Sequence, residues 1–293
     1  MATGLQKTDS KNPRLHFDIY AIFEGSQELY LGDEVQVNVN LVEMIKLETK
    51  DGKSLEKCYI SPTKRRGVER RCLIWAPVKE GQLLGDKWNC GIPKTCAEPK
   101  CPICAPYGAL DPGKRTLIGR ITHGGGVAIQ GLYPVDKQRA MHPAILANEM
   151  KTKDEKPVPF KRQYNQPGLL YPVSNHGLSL TEQEFTSVAY AFLDSLARIG
   201  SGNPKGVAIA ESEDKMPLLV LDRYLSPRGK RPVISPSITD PKEAIDDFIR
   251  LARIRDQNTD HIELPHFDRW IGDAALEKLQ EYSSQFVETV LQA

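Results

Sequence analysis

Between Cys90 and Cys104 the chain reads CGIPKTCAEPKCPIC, which places four of its six cysteines within fifteen residues. The spacing is C-x5-C-x4-C-x2-C, and its last step, CPIC, is the two-residue separation that lets two thiolates face one tetrahedral ion. Gly91, Pro93, Pro99 and Pro102 supply turns that fold so short a segment back on itself. Four sulfur ligands, Cys90, Cys96, Cys101 and Cys104, fill the coordination sphere of zinc and leave no position for water or substrate. The pattern therefore predicts a structural Zn2+ and not a catalytic one. Reduced cysteines without metal and an iron–sulfur cluster are the alternatives, the latter with no other sign of redox chemistry in the sequence. Cys58 and Cys72 stand apart in apolar contexts and read as small buried hydrophobes.

The second kind of chemistry is cationic. KRRGVERR holds five basic residues and one acid in eight, namely Lys64, Arg65, Arg66, Arg70 and Arg71 around Glu69. Lys161 and Arg162 form a further pair, and Arg228, Lys230 and Arg231 stand in SPRGKRP. One such cluster is what a solvated surface looks like; three in separate loop-like contexts point to a nucleic acid held by its phosphates. The stretch LARIGSGNPKG adds main-chain donors: Gly200, Ser201, Gly202, Asn203 and Lys205 combine exposed N–H groups with a lysine, which suits a phosphate. Gly200 is expected at positive φ as a helix stop, with Gly202 and Gly206 keeping side chains clear of a ligand. His123, in THGGG, has the chemistry of a general acid or base, though a lone histidine more often only makes a hydrogen bond. Asp33, in YLGDE, stands where a turn before a strand favours Asp for structural reasons alone.

Elements must position these groups. Leu15, Phe17, Ile19, Ala21 and Phe23 alternate with polar residues, as do Val35, Val37, Val39 and Leu41, predicting two half-buried strands before the turn Lys50-Asp51-Gly52-Lys53. Residues 64–113 show little periodicity and read as an insertion that folds around something other than a core. Residues 151–167 read as a long basic loop. Thr181 and Glu184 form a capping box that opens a helix with Phe185, Val188, Ala189, Phe192, Leu196 and Ile199 on one face. Val207–Ala210 and Leu218–Leu221 then read as a hairpin. Asp240 and Glu243, with Pro241 at the first helical position, open another helix, and Leu276, Leu279, Tyr282, Phe286 and Val290 mark a last one; the two are expected to pack as a pair. The fold class expected is α+β.

The 293 residues, 40% of them hydrophobic, are enough for a core that needs no cross-links. No run of about 18 apolar residues occurs, so a soluble, unexported, cytoplasmic protein without membrane contact is expected, where thiolate ligands outweigh disulfides. Net charge is only +1, but residues from Asp240 onward carry 12 acids against 6 bases, leaving 33 bases against 26 acids on the body. That asymmetry is compatible with an anionic ligand on the body, or with unevenly spread surface charge. No repeat of 20–50 residues is present.

Taken in order, an N-terminal strand, a cysteine segment ending CPICAPYGAL, a strand into GRITHGGG, and a helix ending LARIGSGNPKG resemble the backbone subunit of class 1 CRISPR effector complexes, in the RAMP superfamily. The similarity is greatest to the zinc-containing subunits of type I-D and type IV systems, in which the last cysteine pair precedes a Tyr-Gly, here Tyr107-Gly108. It covers Leu15 to Leu221 in patches, and the glycine loop lacks the phenylalanine many RAMP proteins carry near its end. The resemblance implies a single domain over residues 1–293 with a ferredoxin-like, RNA-recognition-motif-like core. Onto that core it adds a basic and zinc-binding insertion at 61–114, a thumb-like insertion at 123–175 and C-terminal helices at 240–293. It implies polymerisation along a CRISPR RNA beside copies of itself and other effector subunits, and support of target nucleic-acid binding, DNA in preference to RNA. No catalysis is expected. The alternatives are a RAMP-type guide-processing endoribonuclease using His123, and a zinc-stabilised RNA-binding accessory protein outside CRISPR.

Overall fold

Leu15–Glu24 forms the strand that its alternation predicts, here β1, and the molecule is organised around it. The computed structural model describes residues 13–36, 39–48, 52, 54–79, 81–111, 115–131, 133–141, 158–200, 206–225, 234, 240–253 and 267–293. The elements that frame the site are β1, the helix α1 (Pro62–Ile74), β2 (Ile121–Gly124), β3 (Leu170–Leu180), α2 (Glu182–Leu196), β4 (Leu219–Tyr224), α3 (Pro241–Arg253), β5 (Phe267–Ile271) and α4 (Asp273–Phe286). The strands make one antiparallel sheet in the order β5-β4-β1-β3-β2, with Ala208–Ile209 also paired to β1. The architecture is α+β.

Phe17 through Phe23 are buried on both faces of the sheet, where alternation alone predicts one. On one face Phe17, Ile19, Ala21 and Phe23 meet Val68, Cys72 and Leu73 of α1, Phe185 and Phe192 of α2, and Leu279, Tyr282 and Phe286 of α4. On the other, Tyr20 and Ile22 meet Val220 and the α3 residues Ala244, Phe248 and Ala252. The rings of Phe17 and Phe185 stack with centroids 4.0 Å apart, and each buried phenylalanine contributes about 1.5–3 kcal/mol relative to exposure. The two C-terminal helices are therefore not a packed pair: the sheet separates them, and β5 lies between them in sequence. Arg269 anchors β5 through a two-pronged ion pair with buried Asp222, at 2.6 and 2.7 Å.

Four further sequence-based assignments change. The basic run lies on a helix, α1, whose N-cap Ser61 accepts from the Lys64 N–H at 3.4 Å and whose first residue is Pro62. Its buried stripe includes Arg65 and Glu69 beside Val68 and Cys72, so polar residues occupy inward positions and hide the helical period. The single strand expected over Val35–Leu41 is two, Gly32–Gln36 and Val39–Val42, paired with Gln36 opposite Val39; Asp33 lies where their register shifts. Part of the loop expected at 151–167 is the strand Val158–Tyr164, paired with Val135–Met141 and parallel to Val39–Asn40. Val207–Ala210 and Leu218–Leu221 both line up on β1, joined only by the bridge between Glu211 and Pro217. The expected capping box and cap form: Thr181 Oγ1 accepts from Glu184 N at 3.1 Å, Glu184 Oε2 accepts from Thr181 N at 2.9 Å, and Asp240 Oδ1 accepts from Glu243 N at 3.0 Å. Among the described residues no helix is long and apolar enough to cross a membrane.

Candidate metal centre

The cysteine segment lies between α1 and β2, and turns gather its sulfurs. Gly91 N–H donates to Lys94 O at 2.8 Å, Cys101 N–H donates to Glu98 O at 3.0 Å, and Ala97 takes a φ of 52°. The Cys104–Tyr107 helical turn follows at once, and the Cys104 N–H points at Cys101 Sγ at 3.5 Å, as the CPIC spacing allows. Gly85, which no sequence signal singles out, is required here: a Cβ would stand 2.7 Å from the Cys90 carbonyl oxygen and 2.9 Å from that of Ile74.

The Sγ atoms of Cys90, Cys96, Cys101 and Cys104 all lie within 4.8 Å of one another, with Cys90 to Cys104 at 3.3 Å and Cys96 to Cys104 at 3.7 Å. Sulfurs about 2.3 Å from a tetrahedral zinc stand about 3.8 Å apart, so this donor set fits such an ion, and the separations are far beyond the ~2.05 Å of a disulfide. All six cysteines are free thiols. Cys90, Cys101 and Cys104 are buried, Cys96 half-buried. Hydrogen bonds from Cys101 and Cys104 hold the Cys90 thiol down to about 2. Cys101 is pushed up because it keeps its proton in bonds to Cys104 and Cys90. Cys104, lowered by Cys101 but raised more by Cys90 and by burial, reaches about 12. The sulfurs compete for the same protons and charge, and a divalent cation is what would let all four ionise together. Cys58 and Cys72 are core thiols, raised by burial to about 11 and about 12, as their apolar contexts predict.

Within the basic run beside this segment only Arg65 is enclosed, while Arg66 stays exposed and Lys64, Arg70 and Arg71 are half-buried. Arg65 is 1% exposed: its Nη1 donates to the carbonyls of Gly124 at 2.7 Å and Ser174 at 2.9 Å, its Nη2 to Asn175 Oδ1 at 2.5 Å, and its guanidinium lies over the Phe23 ring. Arg65 therefore cannot reach a phosphate in solvent, contrary to the sequence expectation. Arg66 donates to the Tyr107 carbonyl, Arg70 Nη1 to that of Gly108 at 3.1 Å, and Lys64 Nζ to that of Leu31 at 2.5 Å. Arg71 is half-buried in the last turn of α1. The acid inside the run is the hub. Glu69, 1% exposed, accepts from Tyr107 Oη at 2.9 Å and from Asn175 Nδ2 at 3.0 and 3.1 Å, faces His123 Nε2 at 2.8 Å, and lies 3.9 Å from Arg65. Burial alone would raise its carboxyl, but His123, Arg65 and Asn175 together lower it. The His123 side chain is itself 1% exposed, which removes it from contact with a solvent-borne backbone.

The remaining expected positions divide. Gly200 does take a positive φ, 91°, and is buried beside Leu29. Gly206, at φ 71°, packs against the end of α2, where a Cβ would meet Leu196 O at 2.8 Å, so chain packing and not a ligand requires it. Lys161 and Arg162 belong to the strand Val158–Tyr164. Ser201, Gly202, Asn203, Lys205, Arg228, Lys230 and Arg231 lie outside the described residues. Arg120, Asn175 and Glu69 escaped sequence reading because their importance exists only once β2, β3 and α1 are packed together.

No family model matches this chain, and no curated protein matches it. Among solved structures it is similar to the crystal structure of Thermofilum pendens Csc2, at a TM-score of 0.42 and 14% identity over 98% of this chain and 80% of that chain. It is likewise similar to a chain of a Type IV-B CRISPR complex, at a TM-score of 0.42 and 13% identity over 74% of this chain and 95% of that chain.

Proposed function

We propose that the chain is a guide-RNA-binding backbone subunit of a class 1 CRISPR effector complex, which polymerises along the guide and supports binding of a target nucleic acid, DNA in preference to RNA. One observation carries the reading: the four-cysteine segment is inserted in the crossover between α1 and β2 of a β1-α1-β2-β3-α2-β4 succession with sheet order β4-β1-β3-β2. That succession is the one a ferredoxin-like core requires, and the motifs CPICAPYGAL, GRITHGGG and LARIGSGNPKG fall at its joints. The metal is a structural Zn2+ on Cys90, Cys96, Cys101 and Cys104, which stabilises the insertion and leaves no position for a reactant. RNA contacts are assigned to Gly200–Lys205, to Lys161 and Arg162, and to Arg228, Lys230 and Arg231, with phosphates held and bases largely unread. We assign the chain no chemistry of its own, since His123 is enclosed with Glu69. The partners are CRISPR RNA, other copies of the chain and other effector subunits in the cytoplasm.

The test is purification with and without guide-length RNA, read by mass. A ladder of oligomers growing with RNA length is expected; a 1:1 complex at every length would instead identify a zinc-stabilised RNA-binding accessory protein.

A further inference from the structure

The turn after the last cysteine has every carbonyl from Ala105 to Gly108 taken by a group outside the cysteine segment. Arg120 gives Nε and Nη2 to Ala105 O at 3.3 and 3.2 Å, and its N–H to Pro106 O at 2.8 Å. Arg66 takes Tyr107 O, and Arg70 Nη1 takes Gly108 O at 3.1 Å. Three guanidiniums thus ring the turn that begins at Cys104. Their charges are not equally matched. Arg120 is paired with Glu184 at 2.5 Å. Arg70 has Nε and Nη2 buried with no hydrogen-bond partner among the described residues, and the nearest acid on its helix, Glu69, is committed to His123, Tyr107 and Asn175.

Arg70 is half-buried, and buried guanidinium nitrogens without a partner are costly, so an anion is expected within reach. Four thiolates around one divalent cation leave a net charge of about minus two. The Gly108 N–H donates to Cys104 O at 2.9 Å, so the residue whose carbonyl Arg70 holds closes the turn that Cys104 opens. We infer that Arg66, Arg70 and Arg120 are positioning residues for the metal centre: they clamp its turn by the main chain and supply the positive charge that a tetrathiolate site requires. This rests on the metal reading above and assigns to the centre Arg66 and Arg70, which the sequence offers to RNA, together with Arg120. The centre fitted by such a collar is a soft divalent ion held by four thiolates, of the zinc or cadmium class.

The full chain is loaded with zinc, and release to an excess of chromophoric chelator is followed in the parent and in Arg70→Met, Arg70→Lys and Arg120→Lys. Cobalt-substituted samples report the four-sulfur geometry by their thiolate-to-metal absorption. Release about tenfold or more faster in Arg70→Met, with partial recovery in Arg70→Lys and the cobalt spectrum retained, is the result expected for a residue that acts through the first ligands. A parent that retains no metal overturns the metal reading and the collar together. A parent that retains metal, with Arg70→Met or, should that variant not fold, Arg70→Lys and Arg120→Lys releasing it at the parental rate, overturns the collar alone. Lost RNA affinity in Arg70→Met with unchanged metal release would return Arg70 to the RNA and overturn it equally.

Discussion

The Tyr107 hydroxyl donates to Glu69 Oε2 at 2.9 Å, joining the cysteine segment to the helix that carries the basic run. Through Glu69 the same bond reaches His123 on β2 and Asn175 on β3, so the cysteine segment and the sheet interior share one polar network.

Removing the Glu69 charge should leave buried Arg65 without its neighbouring carboxylate and leave Tyr107 and Asn175 a single amide oxygen to share. Glu69→Gln is expected to cost about 3–5 kcal/mol, the range for breaking one partner of a buried ion pair, measured by denaturant unfolding. A loss under about 1 kcal/mol would mean that the network relaxes around the amide.

The same group sets an acid limb to the stability curve. Its folded carboxyl is lowered, so its contribution is fully present above the unfolded value of about 4.3 and is lost as pH falls through the lower folded value. Unfolding free energy measured between pH 5 and pH 2 should fall less steeply in Glu69→Gln than in the parent.

Cys101→Ser should lower bound zinc from about one equivalent to less than about a tenth and reduce solubility, because metal-binding free energy is here folding free energy. Metal analysis of freshly purified protein decides it, and a variant that keeps its full equivalent counts against the four-sulfur site.

How much was legible follows from where each signal lies. The cysteine ligands are close in sequence, so spacing alone found all four. The α2 capping box is likewise local, and both of its hydrogen bonds form. α1 was lost because Arg65 and Glu69 occupy inward positions that a periodicity argument reserves for apolar residues. β5 is five residues long and held by the Asp222–Arg269 pair, a partnership between residues 47 apart that no local pattern announces. The orientation of KRRGVERR depends on carbonyls at Tyr107, Gly108, Gly124 and Ser174, which only the packed fold brings within reach.

Glycine positions separate folding from ligand binding. Gly206→Ala puts a Cβ 2.8 Å from Leu196 O at a φ of 71° and should destabilise the chain by about 1–3 kcal/mol. Gly202→Val should leave the monomer folded and zinc-loaded while impairing RNA binding and assembly together; a Gly202→Val protein that assembles normally would make that stretch a plain turn.

RNA affinity should fall steeply with salt. Replacing Lys161, Arg162, Arg228, Lys230 and Arg231 with neutral residues should flatten the salt slope by about 0.7 per lost contact, alike for every RNA sequence. The same charges removed with no change in slope would clear those residues of any phosphate contact.

β1 has both edges paired, to residues 170–180 on one side and to 219–224 on the other. During synthesis, neither partner leaves the ribosome until roughly 150 residues after β1, a delay of about 8–30 s at 5–20 residues per second. Throughout that interval FDIYAIF is a bare apolar strand with two open edges, the kind of segment that pairs with its like on a neighbouring nascent chain. Yield of native protein should therefore depend on translation rate and on holding chaperones more than final stability would suggest, and slowed elongation should raise the aggregated fraction.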